Sequence, residues 1–460
     1  MRASLAFTLI AASIAFVAAA HAPHSTDLFW QIPEGRGVLH GALPHAVPWA
    51  IGDPGWTDHE WLFEAIAAWC WDHRVFPVLV LLCAIAAAAA PLVALAAARA
   101  IGCDWASTSF AVLLVAAGTS VSWSERPQGF VVLAFPGLLW LLWGGVRRPL
   151  LALPLACAWS NLHASGVLAP FVCLLFAGGF AVEGGLTDMR VRRALGAAVA
   201  ALAGTFVTPN GAALWSYALA SISDANHSHR YIGEWLPLLN SDVRYAATIW
   251  VLLIATALAG TILRRREGFA AAGAGAFFLA LPLLHARFML FSAAAAVPLV
   301  ARSIAPIVEA GSAQREPAVP RAVLAAVPVA ALLAGAWIAG TAPVLGSDSV
   351  YTGARELLVR HHTAGRIYAE YTSDAYLAAF VALPVQVMID SHGDPYDAAT
   401  WDDEEKLEHG LPGWDDALRR RSIATVVLPA NHPLVAALLE SPRWQPLDRT
   451  AAVRLFVART

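Results

Sequence analysis

The stretch HAPHSTDLFWQIPEGRGVLHGALPH, residues 21–45, follows directly on an apolar run at residues 3–20. Such a run predicts a membrane span, because about 17 to 25 mostly apolar residues cross the hydrocarbon layer. Ionisable side chains beside hydrocarbon are costly and usually face a cavity or a polar surface. The stretch crowds together His21, His24, Asp27, Trp30, Gln31, Glu34 and Arg36. It therefore predicts that a span ends here and that a polar surface begins.

The composition agrees with a membrane protein. Of 460 residues, 58% are hydrophobic and only 14% are charged, whereas soluble domains are about 45–50% apolar and about 25% charged. The net charge of -3 gives no indication of a nucleic-acid partner. Five cysteines lie in or beside apolar segments with no metal-ligand spacing. We therefore expect that no cofactor is required, and a divalent metal is possible but unsupported.

Apolar runs along the chain predict a polytopic α-helical membrane protein with about eleven spans. These lie near residues 3–20, 74–98, 105–121, 129–146, 149–163, 165–183, 194–208, 246–263, 268–285, 288–303 and 322–344. The runs at 149–163 and 194–208 are the shortest. The sequence accordingly predicts a transmembrane domain over residues 1–345, with long first and fourth outer loops.

Arginine placement predicts the orientation, since cytoplasmic loops carry an excess of Lys and Arg. With the N-terminus inside, the inner loops hold Arg2, Arg99, Arg147, Arg148, Arg190, Arg192, Arg193, Arg264, Arg265, Arg266, Arg302, Arg315 and Arg321. We therefore expect a cytoplasmic (inner) membrane protein whose segment after Val344 lies outside. The first run also fits a cleaved signal peptide, with small residues before His21. On either interpretation the opening stretch is outside.

Residues 346–460 have the pattern of a small extracytoplasmic α/β domain. Strands are predicted at RIYAEY (366–371), VQVMID (385–390), TVVLP (425–429) and AAVRLFVA (451–458), with helical patterns at 374–383, 413–422 and 432–441. Alternating strands and helices indicate a layered sheet. DDEEK (402–406) fits a solvated helix start.

Polar residues concentrate in the five predicted outer loops. The candidates for a site are Asp27, Asp58, His59, Glu60, Arg126, Asn161, His163, Arg230, Glu234 and Arg287. An arginine fork binds phosphate well, and a carboxylate can take a proton from an incoming hydroxyl. Together with aromatic rings that stack on sugars, these residue types favour glycosyl transfer from a lipid-phosphate sugar.

Other interpretations of the same residues remain open. The loop tryptophans fit an interfacial belt, and Arg126 and Arg287 lie close enough to span ends to snorkel to headgroups. Asp58 and Glu60 precede the helical pattern EWLFEAIAAW (60–69), where acids are common in the first turn. His21 and His24 could form a metal pair, although spacing fixes no third ligand.

The first outer loop resembles that of bacterial polytopic proteins with a GT-C glycosyltransferase-like core and a C-terminal extracytoplasmic α/β domain. The resemblance rests on DLFWQIPEGRGVLHGALP followed by WTDHEWLFE. ERPQGF (125–130), WSNLHASG (159–166), RYIGEWLP (230–237) and VMIDSHGDPY (387–396) also resemble this family.

The resemblance implies a lipid-linked sugar donor and an acidic residue in the first loop. That acid is best matched by Asp27, with Glu60 from the Glu-Trp-Leu element as its partner. The chain departs from the pattern at three places. Gln31 stands where the pattern has His, HAVPW (45–49) lacks the expected Asp, and His392 follows Ile-Asp where Arg is expected.

The sequence therefore predicts a membrane glycosyltransferase that moves a sugar from a polyprenyl-phosphate-linked donor to an envelope glycan or protein. Asp27 is the predicted base with Glu60 as partner, and Arg126, Arg230 and Arg287 are predicted to bind the donor phosphate. The alternative is a non-catalytic envelope assembly factor that binds glycan or lipid with the same fold. Transport is disfavoured, because transporters place polar residues near the midplane. Lipid-linked sugar and membrane lipid are the expected partners.

The orientation can be tested with reporter fusions. Alkaline phosphatase fused after Thr460 should be active, because that end is predicted outside, whereas a fusion after Arg266 should be inactive. A cytoplasmic β-galactosidase reporter at the same two positions provides the control and should give the reverse result. Equal phosphatase activity at both positions would contradict the predicted number of spans.

Overall fold

The computed structural model describes residues 3–20, 24–120, 123–223, 227–240, 244–263, 269–311 and 320–459. Several sequence predictions lie outside these ranges: Arg2, His21, the arginines at 264–266, Arg315 and most of the inner linker at 310–321. The described α-helices are α1 Ala3–Ala20, α2 Leu28–Leu39, α3 Trp61–Asp72, α4 Phe76–Ala100, α5 Trp105–Thr119, α6 Gln128–Trp143, α7 Ala152–Leu162, α8 Leu168–Gly184, α9 Met189–Thr205, α10 Ala213–Ser221, α11 Arg244–Leu263, α12 Phe269–Ala280, α13 Met289–Gly311, α14 Arg321–Thr341, α15 Ser349–Arg360, α16 Tyr371–Ala375, α17 Ala398–Glu408, α18 Trp414–Arg420 and α19 Leu434–Glu440.

Many of these helices are apolar enough for a membrane. Four stretches within the described ranges have the length and composition of a span: Phe76–Ala100, Ala164–Gly184, Ala286–Pro306 and Leu324–Thr341. Six shorter apolar helices accompany them: Leu5–Ala20, Trp105–Thr119, Gln128–Trp143, Pro149–Leu162, Ala247–Leu258 and Ala270–Leu283. The chain is thus a multi-pass membrane protein, while the predicted count of eleven spans is not confirmed. The predicted span at 194–208 coincides with α9, whose first turn carries Arg190, Arg192 and Arg193.

Contacts divide the chain into two units. The first comprises Met1–Pro23, Val75–Ala218 and Ile232–Ala342, and the second comprises His24–Arg74, Leu219–Tyr231 and Pro343–Thr460. The sequence-based division at residue 345 put the whole first outer loop in the transmembrane domain. In the structure, residues 24–74 belong to the same unit as residues 343–460.

The first unit is a helical bundle with an aromatic core. Phe135 packs edge-on against Phe278 and Phe291, with ring centroids 4.8 and 5.0 Å apart. Gly179 on α8 lies so close to α12 that a Cβ there would be 2.3 Å from the Ala270 Cα. Only glycine allows this approach, so the α8–α12 contact depends on that residue.

The second unit contains a five-stranded sheet of order β2-β1-β3-β5-β4. The strands are β1 Gly365–Tyr368, β2 Val385–Val387, β3 Thr425–Pro429, β4 Trp444–Arg449 and β5 Val453–Ala458. β1 pairs in parallel with β2 and β3, whereas β5 is antiparallel to β3 and β4. Four strands were predicted. β4 was not, because its sequence WQPLDR carries a proline and lacks an apolar alternation.

The first outer loop extends this sheet beyond β2. The Val387 N–H donates to the Trp49 carbonyl at 2.9 Å, and the Ile51 N–H donates to the Val387 carbonyl at 2.8 Å. An unpaired edge strand exposes a row of backbone donors and acceptors. The pairing satisfies part of that edge, which gives a physical reason why the loop belongs with the C-terminal region.

The fourth outer loop also contributes to the second unit. The Tyr231 ring stacks on Trp401 with centroids 5.2 Å apart, and its hydroxyl donates to Asp402 at 2.6 Å. Ser228 Oγ lies 3.3 Å from Asp394 Oδ1. The second unit is therefore assembled from three separate segments of the chain.

Candidate functional site

The site residues predicted from the sequence fall mainly into two groups of polar side chains, one in each unit. The arginine cluster in the first unit consists of Arg126, Glu234, Trp235 and Arg287. The acid–histidine cluster in the second unit consists of Glu34, Asp58, His59, Glu60, Glu64, Asp390 and His392. The two are described separately, each within its own unit.

The arginine cluster is built by three turns that were predicted to be outer. Arg126 lies two residues before α6, Glu234 lies in the 3-10 turn Gly233–Trp235, and Arg287 lies in the 3-10 turn Ala286–Phe288. One Glu234 oxygen is 3.4 Å from Arg126 Nη1, and the other is 3.7 Å from Arg287 Nη1. A single carboxylate thus bridges two guanidinium groups.

Two further contacts fix Arg287 and the turn opposite it. The Arg287 guanidinium lies over the Trp235 ring, 4.1 Å from its centroid, a favourable cation–π geometry. The Trp235 carbonyl accepts a hydrogen bond from His285 Nδ1, and the Ala286 N–H donates to the Leu236 carbonyl at 2.9 Å. Arg287 is therefore oriented by groups other than its ion-pair partner.

The electrostatics of this cluster leave it cationic. Burial raises the pKa of the Glu234 carboxyl, but the charges of Arg126 and Arg287 more than offset this effect, so the pKa lies below its usual value. Glu234 is consequently ionised at neutral pH. Two guanidinium groups and one carboxylate leave a net positive charge where a phosphate could bind.

His163 and Asn161 lie in the same unit but have different surroundings. Asn161 Nδ2 donates to the Val207 and Cys157 carbonyls, both at 2.7 Å, which is a structural tie between a helix end and a loop. His163 Nδ1 is 2.8 Å from Ser165 Oγ, and its Nε2 is 3.3 Å from Gln128 Nε2. The charge of His163 also acts on Glu234 to lower its pKa, so His163 borders the arginine cluster.

The acid–histidine cluster is centred on His392. Its Nδ1 is 2.8 Å from Asp390 Oδ1 and its Nε2 is 3.2 Å from Glu34 Oε1. The Trp30 ring stacks on the imidazole at 3.9 Å between centroids, and the Trp56 ring meets it edge-on at 4.9 Å. The His392 and Asp390 side chains are completely buried.

The Asp390 carboxylate is saturated with donors. Besides His392, it accepts hydrogen bonds from Trp49 Nε1 at 2.7 Å and from the Tyr396 hydroxyl at 2.8 Å. Burial raises the pKa of Asp390, but His392 and these donors more than offset it, so the pKa is lowered. Burial by itself would lower the pKa of His392, yet the charges of Asp390 and Glu34 raise it to about 10. His392 is therefore an imidazolium at neutral pH.

The remaining acids of this cluster lie where the first loop enters α3. Asp58 Oδ1 accepts a hydrogen bond from the Glu60 N–H at 3.1 Å, and the Asp58 and Glu64 carboxyls are close enough for each to affect the pKa of the other. Burial, followed by the charges of neighbouring acids, raises the pKa of Asp58 to about 7 and that of Glu64 well above its usual value. These two carboxyls therefore hold protons that ordinary acids release.

Glu60 differs from Asp58 and Glu64 because a basic and a neutral side chain both contact its carboxylate oxygens. Gln31 Nε2 donates to it at 2.8 Å, and His59 Nε2 lies 3.2 Å from its other oxygen. Burial lowers the pKa of His59, but the hydrogen bond and charge of Glu60 more than offset this and raise it. Glu60 and His59 thus form a buried pair.

The predicted site residues are distributed over both units. Arg126, Arg287, Glu234 and His163 lie together in the first unit, and Asp58, His59 and Glu60 lie together in the second. Arg230 is exposed in the 3-10 turn His227–Arg230 of the second unit, apart from the arginine cluster. Asp27 precedes α2, is partly buried, and its charge contributes to the raised pKa of Tyr371.

Sequence reasoning did not assign Glu34, Glu64, Asp390 or His392 to a site. A local signal existed for Glu64, which follows Glu60 by one helical turn. Glu34 follows Gln31 by a similar step on α2. No sequence spacing links Glu34 to His392, since these residues are 358 positions apart.

The raised pKa of Asp58 makes a prediction about pH. The pKa of Asp58 is raised from 3.8 to about 7 in the folded state. Between these two pH values the folded protein keeps a proton that the unfolded protein releases, so the free energy of unfolding falls as the pH rises. A shift of this size corresponds to at most about 4 kcal/mol above pH 7. Asp58→Asn should remove this loss, so the melting temperature of the variant should rise relative to wild type between pH 4.5 and pH 7.5.

Asp53→Asn is the matched control, because Asp53 is exposed in the same loop. Its melting temperature should follow that of the wild type at every pH. An Asp58→Asn protein whose difference from wild type does not change with pH would show that Asp58 holds no additional proton in the folded state.

Structural comparison identifies solved proteins with a similar fold. Archaeal oligosaccharyltransferase AglB from Archaeoglobus fulgidus, in complex with an inhibitory peptide and a dolichol-phosphate, matches with a TM-score of 0.59 and 11% identity over 92% of this chain and 69% of that chain. An Archaeoglobus fulgidus oligosaccharyltransferase tethered to an acceptor peptide gives 0.58 and 10% identity over 92% and 68% of the two chains.

Arabinofuranosyltransferase AftD from Mycobacteria matches with a TM-score of 0.54 and 15% identity over 98% of this chain and 41% of that chain. This chain therefore spans less than half the length of AftD. No protein-family model and no curated protein matches the chain. At these identities the likeness concerns the fold alone: the chain has a GT-C-like fold, as the resemblance of the first loop predicted.

Proposed function

We propose that this protein is a membrane glycosyltransferase that moves a sugar from a polyprenyl-phosphate-linked donor to an envelope glycan or protein on the outer face. The arginine cluster is the observation that carries the proposal. Arg126 and Arg287 both contact the Glu234 carboxylate, and the Trp235 ring packs against the Arg287 guanidinium and orients it. Planar guanidinium forks are well suited to phosphate oxygens.

The GT-C-like fold supports this assignment from a second direction. AglB has been solved with a dolichol-phosphate, a lipid of the proposed donor's chemical type. In the proposed reaction the bond between the sugar and the lipid phosphate breaks, and negative charge develops on the phosphate. Arg126 and Arg287 stabilise that charge, and preorganised charges of this kind are often the largest contribution to catalysis. The proposal requires no further cofactor.

The acid that activates the acceptor is assigned to Asp27, with Glu60 as its partner. A general base must reach the hydroxyl whose proton it removes. Asp27 is partly exposed at the start of α2, whereas Glu60 is buried and already bonded to Gln31 and His59. Access therefore favours Asp27 as the base. Arg230 remains a predicted phosphate ligand without a place in the arginine cluster.

The second candidate is a non-catalytic envelope assembly factor that binds glycan or lipid. The buried state of the acid–histidine cluster favours it, because carboxyls enclosed by tryptophans and a histidine can serve stability alone. Under either candidate the protein is proposed to lie in the inner membrane with its C-terminal region outside.

The phosphate site predicts weaker lipid binding after Arg287→Ala. The substitution removes charge-assisted contacts of about 1.5–3 kcal/mol, which correspond to roughly a 10- to 100-fold loss of affinity. The affinity is measured by titration of the purified protein in nanodiscs with decaprenyl phosphate. Arg192→Ala, an exposed arginine of α9, is the control and should bind as the wild type does. Unchanged affinity in Arg287→Ala would exclude this arginine from the phosphate site.

Asp27→Asn separates the enzyme from the assembly factor. If Asp27 is the base, the substitution should lower glycan transfer by about 10²- to 10⁴-fold while binding of decaprenyl phosphate is retained. The measurement is the envelope glycan profile of a deletion strain complemented at matched protein level, with Asp53→Asn as control. A wild-type profile from the Asp27→Asn strain would remove Asp27 from catalysis and favour the non-catalytic candidate.

A further inference from the structure

Glu234 occupies the position in which a phosphate would bridge the two arginines. Its oxygens lie 3.4 Å from Arg126 Nη1 and 3.7 Å from Arg287 Nη1, whereas charge-assisted N–H···O contacts are usually about 2.7–2.9 Å. Glu234 gives one oxygen to each arginine, so it binds neither guanidinium fork in the bidentate manner. The carboxylate therefore offsets one of the two positive charges without binding either arginine tightly.

The arginine cluster does not need Glu234 to hold Arg287 in place. The guanidinium lies over the Trp235 ring, and the turns that carry both residues are tied by His285 and by the Ala286–Leu236 backbone bond. The Glu234 side chain is 34% exposed, compared with 31% for Arg126 and 18% for Arg287. The carboxylate is therefore in contact with solvent, as Arg126 is.

We propose that Glu234 is a resident counter-ion that the phosphate group of the ligand displaces from Arg126 and Arg287. This inference rests on the proposed function, in which the arginine pair binds the donor phosphate. In the unliganded protein, Glu234 reduces the repulsion between two neighbouring guanidinium groups. A ligand must bring its own negative charge to take its place, so a neutral lipid alcohol is rejected.

The phosphate monoester of the carrier lipid can replace the carboxylate because it offers three terminal oxygens. It can present one edge to Arg126 and another to Arg287, which two carboxylate oxygens cannot do from one position. The sugar-linked phosphate of the donor is a diester with two free oxygens, and it can present one oxygen to each arginine. After sugar transfer, the return of Glu234 to the pair competes with the phosphate that remains on the carrier lipid. The same carboxylate therefore limits affinity for the donor and assists release of the product.

The inference predicts that a neutral residue at position 234 tightens phosphate binding. Each partly exposed ion pair contributes between roughly 1.4-fold and fivefold in equilibrium terms, so removal of two competing pairs should raise affinity by about tenfold. Glu234→Gln keeps the size of the side chain, and Glu234→Ala provides a second neutral variant if the first folds poorly. Glu356→Gln is the matched control, because Glu356 is an exposed glutamate paired with Arg360 on α15.

The experiment uses the full chain in phosphatidylcholine nanodiscs. Wild type and variants are titrated with decaprenyl phosphate, decaprenol, inorganic phosphate and phosphatidylglycerol. Decaprenyl phosphate should bind about tenfold more tightly to both position-234 variants than to wild type or Glu356→Gln, and decaprenol should show no gain. A parallel gain for inorganic phosphate would identify the phosphoryl group alone as the displacing group. A parallel gain for phosphatidylglycerol would instead identify a general phosphate headgroup as the ligand.

Two contrary results have different meanings. Equal or weaker binding of decaprenyl phosphate to both neutral variants would overturn the counter-ion role and make Glu234 a residue that positions the arginines. If wild type itself binds decaprenyl phosphate no better than decaprenol, the phosphate site of the proposed function falls as well.

Discussion

The buried His392 imidazolium is the interaction on which the second unit depends. It joins Asp390 of the C-terminal region to Glu34 of the first outer loop, 358 residues away in the chain. Two charges removed from water are costly unless their hydrogen bonds are complete, and loss of one partner of a buried pair costs about 3–5 kcal/mol. Trp30 covers one face of the ring and adds a cation–π contribution.

This one cation also decides which acids of the cluster are ionised. The charge of His392 and hydrogen bonds from two neutral donors lower the pKa of Asp390, which remains a carboxylate. His59 supplies a second basic group to Glu60. Asp58 and Glu64 lie beside further acids, and burial dominates their pKa values. A buried acid without a cation of its own takes up a proton. His392 lowers the pKa of Asp390, whereas burial raises the pKa values of Glu34, Asp58 and Glu64.

The sequence predicted those features that depend on local pattern. Apolar runs gave most of the helices, and alternation gave four of the five strands, including Thr425–Pro429 with both ends correct. The helical pattern at 374–383 was found as a short α-helix followed by a π-helical turn, Tyr376–Phe380. DDEEK lies inside α17, which begins earlier, at Ala398, with Asp397 as its N-cap. Asp397 is a suitable N-cap residue in the sequence, but the acidic run DDEEK predicts a later start for this helix.

Contacts between residues far apart in the chain could mostly not be predicted from local sequence patterns. Arg126 and Arg287 could be grouped in advance, because both flank apolar runs and the topology brings alternate loops to one side. Nothing in the sequence of VMIDSHGDPY indicated that tryptophans of the first loop would surround His392. These contacts are defined only by tertiary packing. The pairing of residues 49–51 with the edge of β2 could not be predicted for the same reason: HAVPWAI (45–51) carries a proline and has little strand propensity.

The contrast between the two clusters bears on where chemistry can occur. In the arginine cluster, contacts are long, side chains are partly exposed, and a net positive charge remains. In the acid–histidine cluster, His392 contacts Asp390 at 2.8 Å and Glu34 at 3.2 Å, and all three side chains are buried. A ligand that replaces existing partners gains most where those partners are weakly held and in contact with solvent. Ligand binding is therefore favoured at the arginines, while the histidine and its acids hold the first outer loop, and with it Asp27, to the C-terminal sheet.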